Sequence, residues 1–453
     1  MLKKAMMQIV GKEERVSVNE TVLEHHSKGL TYHPAVLPDI VVFPETEQEV
    51  RKIIQYADKH QVPIVPFGAG SSLEGHIIPV KGGISMDFTR MNQILEVRPE
   101  DFLVKVQPGV TRSQLNQHLK KHGLFFPIDP GADATIGGMT ATNASGTNAV
   151  YYGTMKHNVL GLKAVMANGE MISTGGETVK SSAGYNLTEL LVGSEGTLGV
   201  FTEITLKLYG IPETLIAAKA AFHSIEEAGK AAEMILQAGL KIGKIELVDA
   251  NTIKAVNEYK GTDYKARPTL FLEFIGSKET VQQEISWAEE LLKDAGCIDI
   301  EFETDSLKRT QLWEARHSAA IAIISRQPNK LMVSTDVCVP ISKLSAALEK
   351  TRGYAIEYGI DTAILGHVGD GNFHAAFGVN PGDPDEMKRF KEMNRKIVEY
   401  ALEQNGTCSG EHGIGLGKKE YLSLQHRTSL DVMKSIKQVF DPKGILNPGK
   451  IFD

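Results

Sequence analysis

Residues 62–76 read VPIVPFGAGSSLEGH, a β-prone stretch that runs straight into a loop with glycine at positions 68, 70 and 75. Glycine lets backbone N–H groups come close to a phosphate and form an anion-binding nest. The third glycine is out of place for a dinucleotide fingerprint, and Pro79, Gly82 and Gly83 oppose a helix opening there, so a Rossmann crossover is not expected. No GxxxxGK[ST] occurs, which excludes a P-loop. Taken singly, the loop could be a plain surface turn. Two further loops rich in glycine and hydroxyl residues follow, PGADATIGGMTATNASGTNAVYYGTMKHNVL from Pro130 and GSEGTLGV from Gly193. Three such loops in one half of a chain suit a long, phosphate-bearing ligand lying against backbone.

At 453 residues the chain exceeds one ordinary core, so two or three domains are expected. The net charge of −7 and the lack of a basic stripe give no reason to expect nucleic acid. Cys297, Cys338 and Cys408 are widely spaced and form no CxxC. That excludes a cysteine-ligated iron–sulfur cluster and a disulfide framework, and suits a reducing compartment. The apolar run in MLKKAMMQIVGKEERV is too short for a secretory signal, and nothing approaches the ~20 apolar residues of a transmembrane helix. A cytoplasmic protein is expected, with peripheral docking to a membrane-bound partner left open.

The first half reads as mixed α/β. ETEQEVRKIIQYADKHQ carries a Thr46–Glu49 capping box and apolar Val50, Ile53, Ile54 and Ala57 at helical spacing. Short strands are expected at GISMDF and FLVKVQ, a helix over TRSQLNQHLKKHG, and an alternating strand at EITLKLYG. From about residue 214 the rhythm becomes strand-then-helix: TLIAAKAAF before SIEEAGKAAEMILQAG, and TLFLEFIG before KETVQQEISWAEELLKDAG. Further elements are expected at 305–326, 331–339, 341–358, 361–366 and 384–405. This pattern suggests an antiparallel sheet with helices on one face. The expected class is α+β, divided at 1–212, 213–428 and a tail 429–453 that packs back on the first part.

The second half holds AILGHVGDGNFHAAFG, residues 363–378. Asp-Gly between β-prone runs is a hairpin signal. With Asp370 and Gly371 at the tip, His367 faces His374, and opposite residues hold their Cβ atoms about 4.5–5.5 Å apart. Two readings stand: a pair of metal ligands, or two buried histidines bonded to backbone. SGEHGIG adds Glu411 beside His412. Neighbouring side chains on an extended segment point to opposite faces, so a split role fits best. Glu411 completes a two-histidine, one-carboxylate site with open positions, and His412 faces a substrate. The alternative is a tight glycine loop and nothing more. In LWEARHSA, Arg316 sits on an amphipathic helix, and its planar fork suits a carboxylate unless it is a solvated helix charge. His317 beside it reads as structural.

The three glycine loops resemble the FAD-binding domain of the vanillyl-alcohol oxidase/p-cresol methylhydroxylase superfamily. The branch the chain is most similar to contains the glycolate oxidase FAD subunit and the dehydrogenases of D-2-hydroxy acids such as D-lactate. The likeness runs through the terminal NPGKIF. It implies a PCMH-type FAD domain of two subdomains, a ferredoxin-like substrate domain, and bound FAD. It places the pyrophosphate on Gly68, Ala69, Gly70, Ser71 and Ser72. The isoalloxazine and diphosphate fall to Pro130, Gly131, Thr135, Gly137, Gly138, Thr142, Asn143 and Gly146. Gly193, Glu195, Gly196, Gly199 and Val200 lie beside the flavin, and Asn447 approaches its ring. Tyr152, His157 and Asn158 belong to the same stretch without assigned roles. Relatives that bind FAD covalently use a histidine or cysteine at defined places; here the pyrophosphate loop has serines at 71 and 72, so non-covalent FAD is expected.

The resemblance also implies the chemistry. Arg316 fixes the carboxylate of a D-2-hydroxy acid, a divalent metal on His367, His374 and Glu411 polarises its oxygens, and His412 takes the hydroxyl proton while hydride goes to flavin N5. The metal is left as zinc, manganese or iron(II). Relatives that take a second carboxylate carry a lysine in the strand after the arginine helix. Here that strand reads LMVSTDVCVP, with Ser334, Thr335 and Asp336 at the place in question, which favours D-lactate or glycolate. Lys330 keeps D-2-hydroxyglutarate open. A flavin-binding electron-transfer subunit of a glycolate oxidase complex is the rival reading. The electron acceptor is left as a quinone, an electron-transfer flavoprotein or an iron–sulfur subunit, with a homodimer also open.

Overall fold

The computed structural model describes residues 1–452. The chain forms two compact units. The first takes Met1–Ser145, Tyr152–Ile211 and Glu411–Asp453, and the second takes Gly146–Tyr151 and Pro212–Gly410. Both combine helices with largely antiparallel sheet, so the class is α+β.

In the first unit, β1 (Val16–Ser17), β2 (Ile40–Val42), β3 (Ile64–Phe67) and β4 (Ile84–Asp87) form a sheet ordered β1-β2-β4-β3. The β2–β4 and β3–β4 pairs are parallel. The crossover between β2 and β3 is the helix Glu47–His60, whose apolar positions Val50, Ile53, Ile54 and Ala57 are all buried. Thr46 caps it by accepting the Glu49 N–H at 3.2 Å. Glu49 does not return to the cap residue. Its carboxylate accepts from Glu45 N–H at 2.8 Å and Arg15 at 2.7 Å, so the expected box is only half made.

The second sheet of this unit is ordered β5-β6-β10-β8-β9, from β5 (Ile94–Arg98), β6 (Leu103–Val106), β8 (Val159–Val165), β9 (Met171–Gly175) and β10 (Val200–Lys207). A two-residue ribbon, β7 (Leu124–Phe125) with β11 (Tyr209–Gly210), closes beside it. The chain re-enters this unit at Glu411, ahead of the boundary at 429 drawn from the sequence. Leu416 N–H bonds to Glu74 C=O at 2.7 Å, which ties the 411–428 stretch to the first loop. The end of the chain then lines β3: Ile64 N–H donates to Ile445 C=O and Asn447 N–H donates to Ile64 C=O, each at 2.8 Å. Ile445 and Leu446 are buried among the apolar side chains of β2, β3 and β4.

The second unit is built on a sheet running β15-β12-β14-β13-β18-β19-β16. Its strands are β12 (Thr214–Ala221), β13 (Ile242–Val248), β14 (Thr269–Gly276), β15 (Asp299–Glu303), β16 (Leu331–Ser334), β18 (Ala363–Gly366) and β19 (Asn372–Val379), with β17 (Val337–Cys338) also on β19. The helices Ile225–Gln237, Lys278–Asp294 and Leu344–Glu357 form where the apolar spacing places them. Ser224 and Glu227 make a full capping box. Periodicity over 305–326 resolves into two helices, Ser306–His317 and Ala319–Ser325. The sequence reading passed over β13 and the helix Ala250–Lys260 behind it, which Asp249 caps by accepting Thr252 N–H at 2.9 Å.

The hairpin between the two histidines differs from the expected one. Leu365, and not His367, lies opposite His374. A 3-10 turn over Val368–Asp370 replaces the two-residue tip. β17 continues β16 in the same register along the other edge of β19 and leaves the β18 edge untouched, and Gly371, with φ 77°, closes the longer turn. The register slips by two residues, which preserves the face of the sheet.

Candidate active site

In the first unit the second and third glycine loops meet through backbone, and the Asn447 side chain bridges the first to the third. Thr135 caps the helix Ile136–Thr142, its hydroxyl accepting Gly138 N–H at 3.3 Å. The carbonyls of Thr140 and Ala141 at the end of that helix accept from Gly193 and Glu195 N–H at 2.9 and 2.8 Å, joining the second loop to the third. Asn447 Nδ2 donates to His76 C=O at 3.0 Å and Glu195 C=O at 2.7 Å, joining the first loop to the third. Lys450, further along the tail, donates to Ile78 C=O at 2.6 Å. Burial of this ammonium pulls its pKa down to about 8.

Several of the positions that the resemblance assigns to the flavin also have local structural contacts. Gly137 packs on Pro108, and Val200 is a strand residue paired with Val165. Asn143, with φ 51°, accepts from Thr154 Oγ1 and Lys156 N–H at 3.0 and 2.9 Å, and Thr142 bonds back into its own helix. Gly146 counts with the second unit. Gly68 lies so close to Thr135 that a Cβ there would collide with Oγ1. The Ser72 and Ser194 hydroxyls are buried without a hydrogen-bond partner, as is Nδ1 of His76. Such groups on the first and third loops suit a polar ligand, because an unsatisfied buried donor costs about 1–3 kcal/mol. Gly68→Ala is expected to displace the Thr135 cap, a loss of ~1 kcal/mol, and to weaken FAD retention up to about tenfold. The 450 nm to 280 nm absorbance ratio of the purified protein checks this.

Glu195 is the buried centre of this unit's polar network. It adopts a positive φ of 55° and is 5 % exposed. Its carboxylate accepts the N–H groups of Ile414 at 2.6 Å and Gly415 at 2.8 Å and lies 3.4 Å from His76 Nε2. Burial alone would raise its pKa, but His76 and those two N–H donors hold it below the ordinary carboxylate range. Gly413, with φ 78°, lets the 413–415 loop come this close: a Cβ would sit 2.7 Å from Glu195 Oε1. His412 therefore precedes a loop clamped by a carboxylate. Its Nε2 lies 3.8 Å from Glu411.

In the second unit His367 and His374 come together despite the slipped register. Their rings meet edge to face, with centroids 5.7 Å apart, and each can present a nitrogen within 4.8 Å of the other's. His374 Nδ1 is 3.0 Å from Thr335 C=O, and His367 Nδ1 is 2.7 Å from Glu246 Oε1. Each Nδ1 is committed, so Nε2 is the atom each would offer a cation, and carboxylate or carbonyl partners of this kind orient metal-binding histidines. Arg316 is buried, and its Nη2 donates to Glu246 Oε2 at 2.5 Å while Nε has no hydrogen-bond partner. Burial works against the charge of Glu246, yet His367 and Arg316 together hold its pKa down. Asp336 accepts from Asn372 Nδ2, Ser409 Oγ and Gly410 N–H at 2.8, 2.9 and 3.0 Å. It anchors the residues that lead into Glu411.

Glu246, Asp336 and His76 were not singled out as site residues from sequence. The signal for Glu246 is an acid inside the apolar strand IGKIELV. For His76 it is an imidazole at the end of a glycine loop. Asp336 offers no comparable signal in LMVSTDVCVP.

Residues 211–451 match the family model "FAD linked oxidases, C-terminal domain", and residues 38–175 match "FAD binding domain". The chain is 44% identical over 445 residues to a probable mitochondrial D-lactate dehydrogenase of Danio rerio, covering 97% of this chain and 90% of that protein. It is 35% identical to the glycolate oxidase subunit GlcD of Bacillus subtilis, covering 100% of this chain and 96% of the other. A 4-ethylphenol oxidase from Gulosibacter chungangensis shares the fold with a TM-score of 0.80 at 18% identity, over 100% of this chain and 96% of that one. With its flavin-type loops and its second unit both accounted for, the chain belongs to the FAD-linked oxidases.

Proposed function

We propose that the protein oxidises a small D-2-hydroxy acid, D-lactate or glycolate, to the 2-oxo acid. The observation that carries this reading is the Arg316–Glu246–His367 arrangement, which sets a carboxylate-binding fork beside a pair of ligand-type imidazoles. Similarity to proteins named D-lactate dehydrogenase and glycolate oxidase subunit supports it. FAD, bound without a covalent link in the first unit, supplies the acceptor for the electron pair of the C2–H bond. His367 and His374, with Glu411 as the carboxylate assigned from sequence, would hold a divalent cation, which would supply a Lewis acid for the substrate oxygens. Arg316 orients the carboxylate, and His412 accepts the hydroxyl proton.

The small-acid preference gains support from Lys330. Its ammonium lies 2.6 Å from Glu386, an ion pair that occupies the cation otherwise suited to a distal carboxylate. Among the described residues no helix is long and apolar enough to cross a membrane. Electrons would leave through a quinone, an electron-transfer flavoprotein or an iron–sulfur partner.

The test is an anaerobic visible spectrum of the metal-replete protein before and after D-lactate, L-lactate, glycolate and D-2-hydroxyglutarate. Bleaching of the flavin band by D-lactate or glycolate but not by L-lactate is the expected result. A band that stays oxidised with all four would sink the reading.

A further inference from the structure

Glu246 carries one negative charge between two hydrogen-bond donors on opposite sides. Its Oε2 takes Arg316 Nη2 at 2.5 Å and its Oε1 faces His367 Nδ1 at 2.7 Å, with the whole residue shut off from solvent. An ionised carboxylate only accepts hydrogen bonds. The imidazole nitrogen facing it must therefore carry hydrogen, and in the uncharged form of the ring the other nitrogen is then the lone-pair atom. On the far side the same carboxylate fixes the plane of the Arg316 fork.

We infer that Glu246 is a positioning residue that sets the ring tautomer of His367 and the orientation of Arg316 together, so that one buried carboxylate couples cation binding to recognition of the substrate carboxylate. This rests on the metal and arginine roles proposed above. It goes beyond them in naming the group that makes the two roles interdependent.

Glutamine has nearly the shape of glutamate but cannot serve both partners. If its oxygen turns to His367, its NH2 meets the Arg316 donor head-on. If its oxygen turns to Arg316, its NH2 donates to His367 Nδ1, and the ring hydrogen moves to the nitrogen that should bind the cation. Either way one partner loses. The two partners come from sequence positions 70 and 121 residues away, so a local repair is not available.

The experiment measures Mn2+ and Zn2+ binding by equilibrium dialysis on the full-length holoprotein. Wild type, His367→Ala, Glu246→Gln and the double variant Glu246→Gln/Arg316→Gln are compared, with FAD content and far-UV dichroism as controls. Loss of an outer partner of a metal-ligating histidine typically costs 10–100-fold in affinity. Glu246→Gln should therefore raise the metal Kd by about 10–100-fold while FAD content stays unchanged. The double variant removes the competing donor and lets the introduced amide turn its oxygen to His367. It should recover metal binding while the KM for the hydroxy acid stays high, a rescue that a merely structural role would not produce. The double variant also answers the question if the single one does not fold. If Glu246→Gln binds metal as tightly as wild type while His367→Ala does not, the inference is overturned and the metal site stands. If the double variant folds and its metal binding is not recovered, the tautomer account is overturned. If His367→Ala binds metal as tightly as wild type, the proposed metal site itself falls and this inference falls with it.

Discussion

His412→Ala is expected to purify yellow, with full FAD content, and to lose about 10²–10⁴-fold in the rate of substrate-driven flavin reduction, the usual contribution of a positioned general base. His412 precedes a loop held by Glu195 through Ile414 and Gly415 N–H, so trimming the imidazole leaves that clamp in place. The loss should appear in kcat and in kcat/KM alike, because proton removal belongs to the transition state and not to substrate binding. Substrate-driven bleaching at the wild-type rate in this variant would remove His412 from the mechanism.

The second large effect is on stability. Glu195→Ala leaves the buried His76 ring without its neighbouring carboxylate and the Ile414 and Gly415 N–H groups without their acceptor. Each buried donor left without its acceptor costs about 1–3 kcal/mol. A chain of two units need not unfold in one step, so the quantity to follow is the urea midpoint for flavin release and not a single global transition. Glu195→Gln should lose less, because its oxygen still accepts one N–H. The pH dependence has a definite sign. Glu195 has a folded pKa below its ordinary value of 4.5, so its contribution is complete above that value and disappears as pH falls through the folded pKa. The gap between wild type and Glu195→Gln should accordingly be full at neutral pH and narrow only below about pH 4. A gap that is constant down to pH 3 would contradict the assignment.

Much of the fold follows from local rules and was therefore legible. Thr46 and Ser224 start helices where cap chemistry says they should, and the period of 3.6 marks the faces that are buried. The three glycine loops point to a ligand lying on backbone, while the Asn447 amide that joins the first to the third comes from a distant part of the chain. Turn length and long-range pairing were not legible. The Asp-Gly signal marks the turn between His367 and His374 but does not set its length: a 3-10 turn over Val368–Asp370 puts Leu365 opposite His374. Glu246 escaped notice because its partners lie far away in sequence. An acid in an apolar strand signals a buried partner, but nothing local names Arg316 or His367 as that partner.

The pairing of β3 with Ile445–Asn447 sets a timetable for synthesis. At ribosomal rates of about 5–20 residues per second, roughly 20 to 80 s pass between the emergence of Ile64 and of the segment that lines it. Over that interval the outer edge of β3 lacks its final partner, while every residue of the second unit has already been made. The second unit can thus close first, within a nascent chain whose flavin-binding half still shows an open strand edge, the kind of surface that templates aggregation. A segment made long after β3 thus acts as the latch of the first unit, so a frameshift or early stop near residue 440 would spoil flavin binding while sparing the sheet that carries the two histidines.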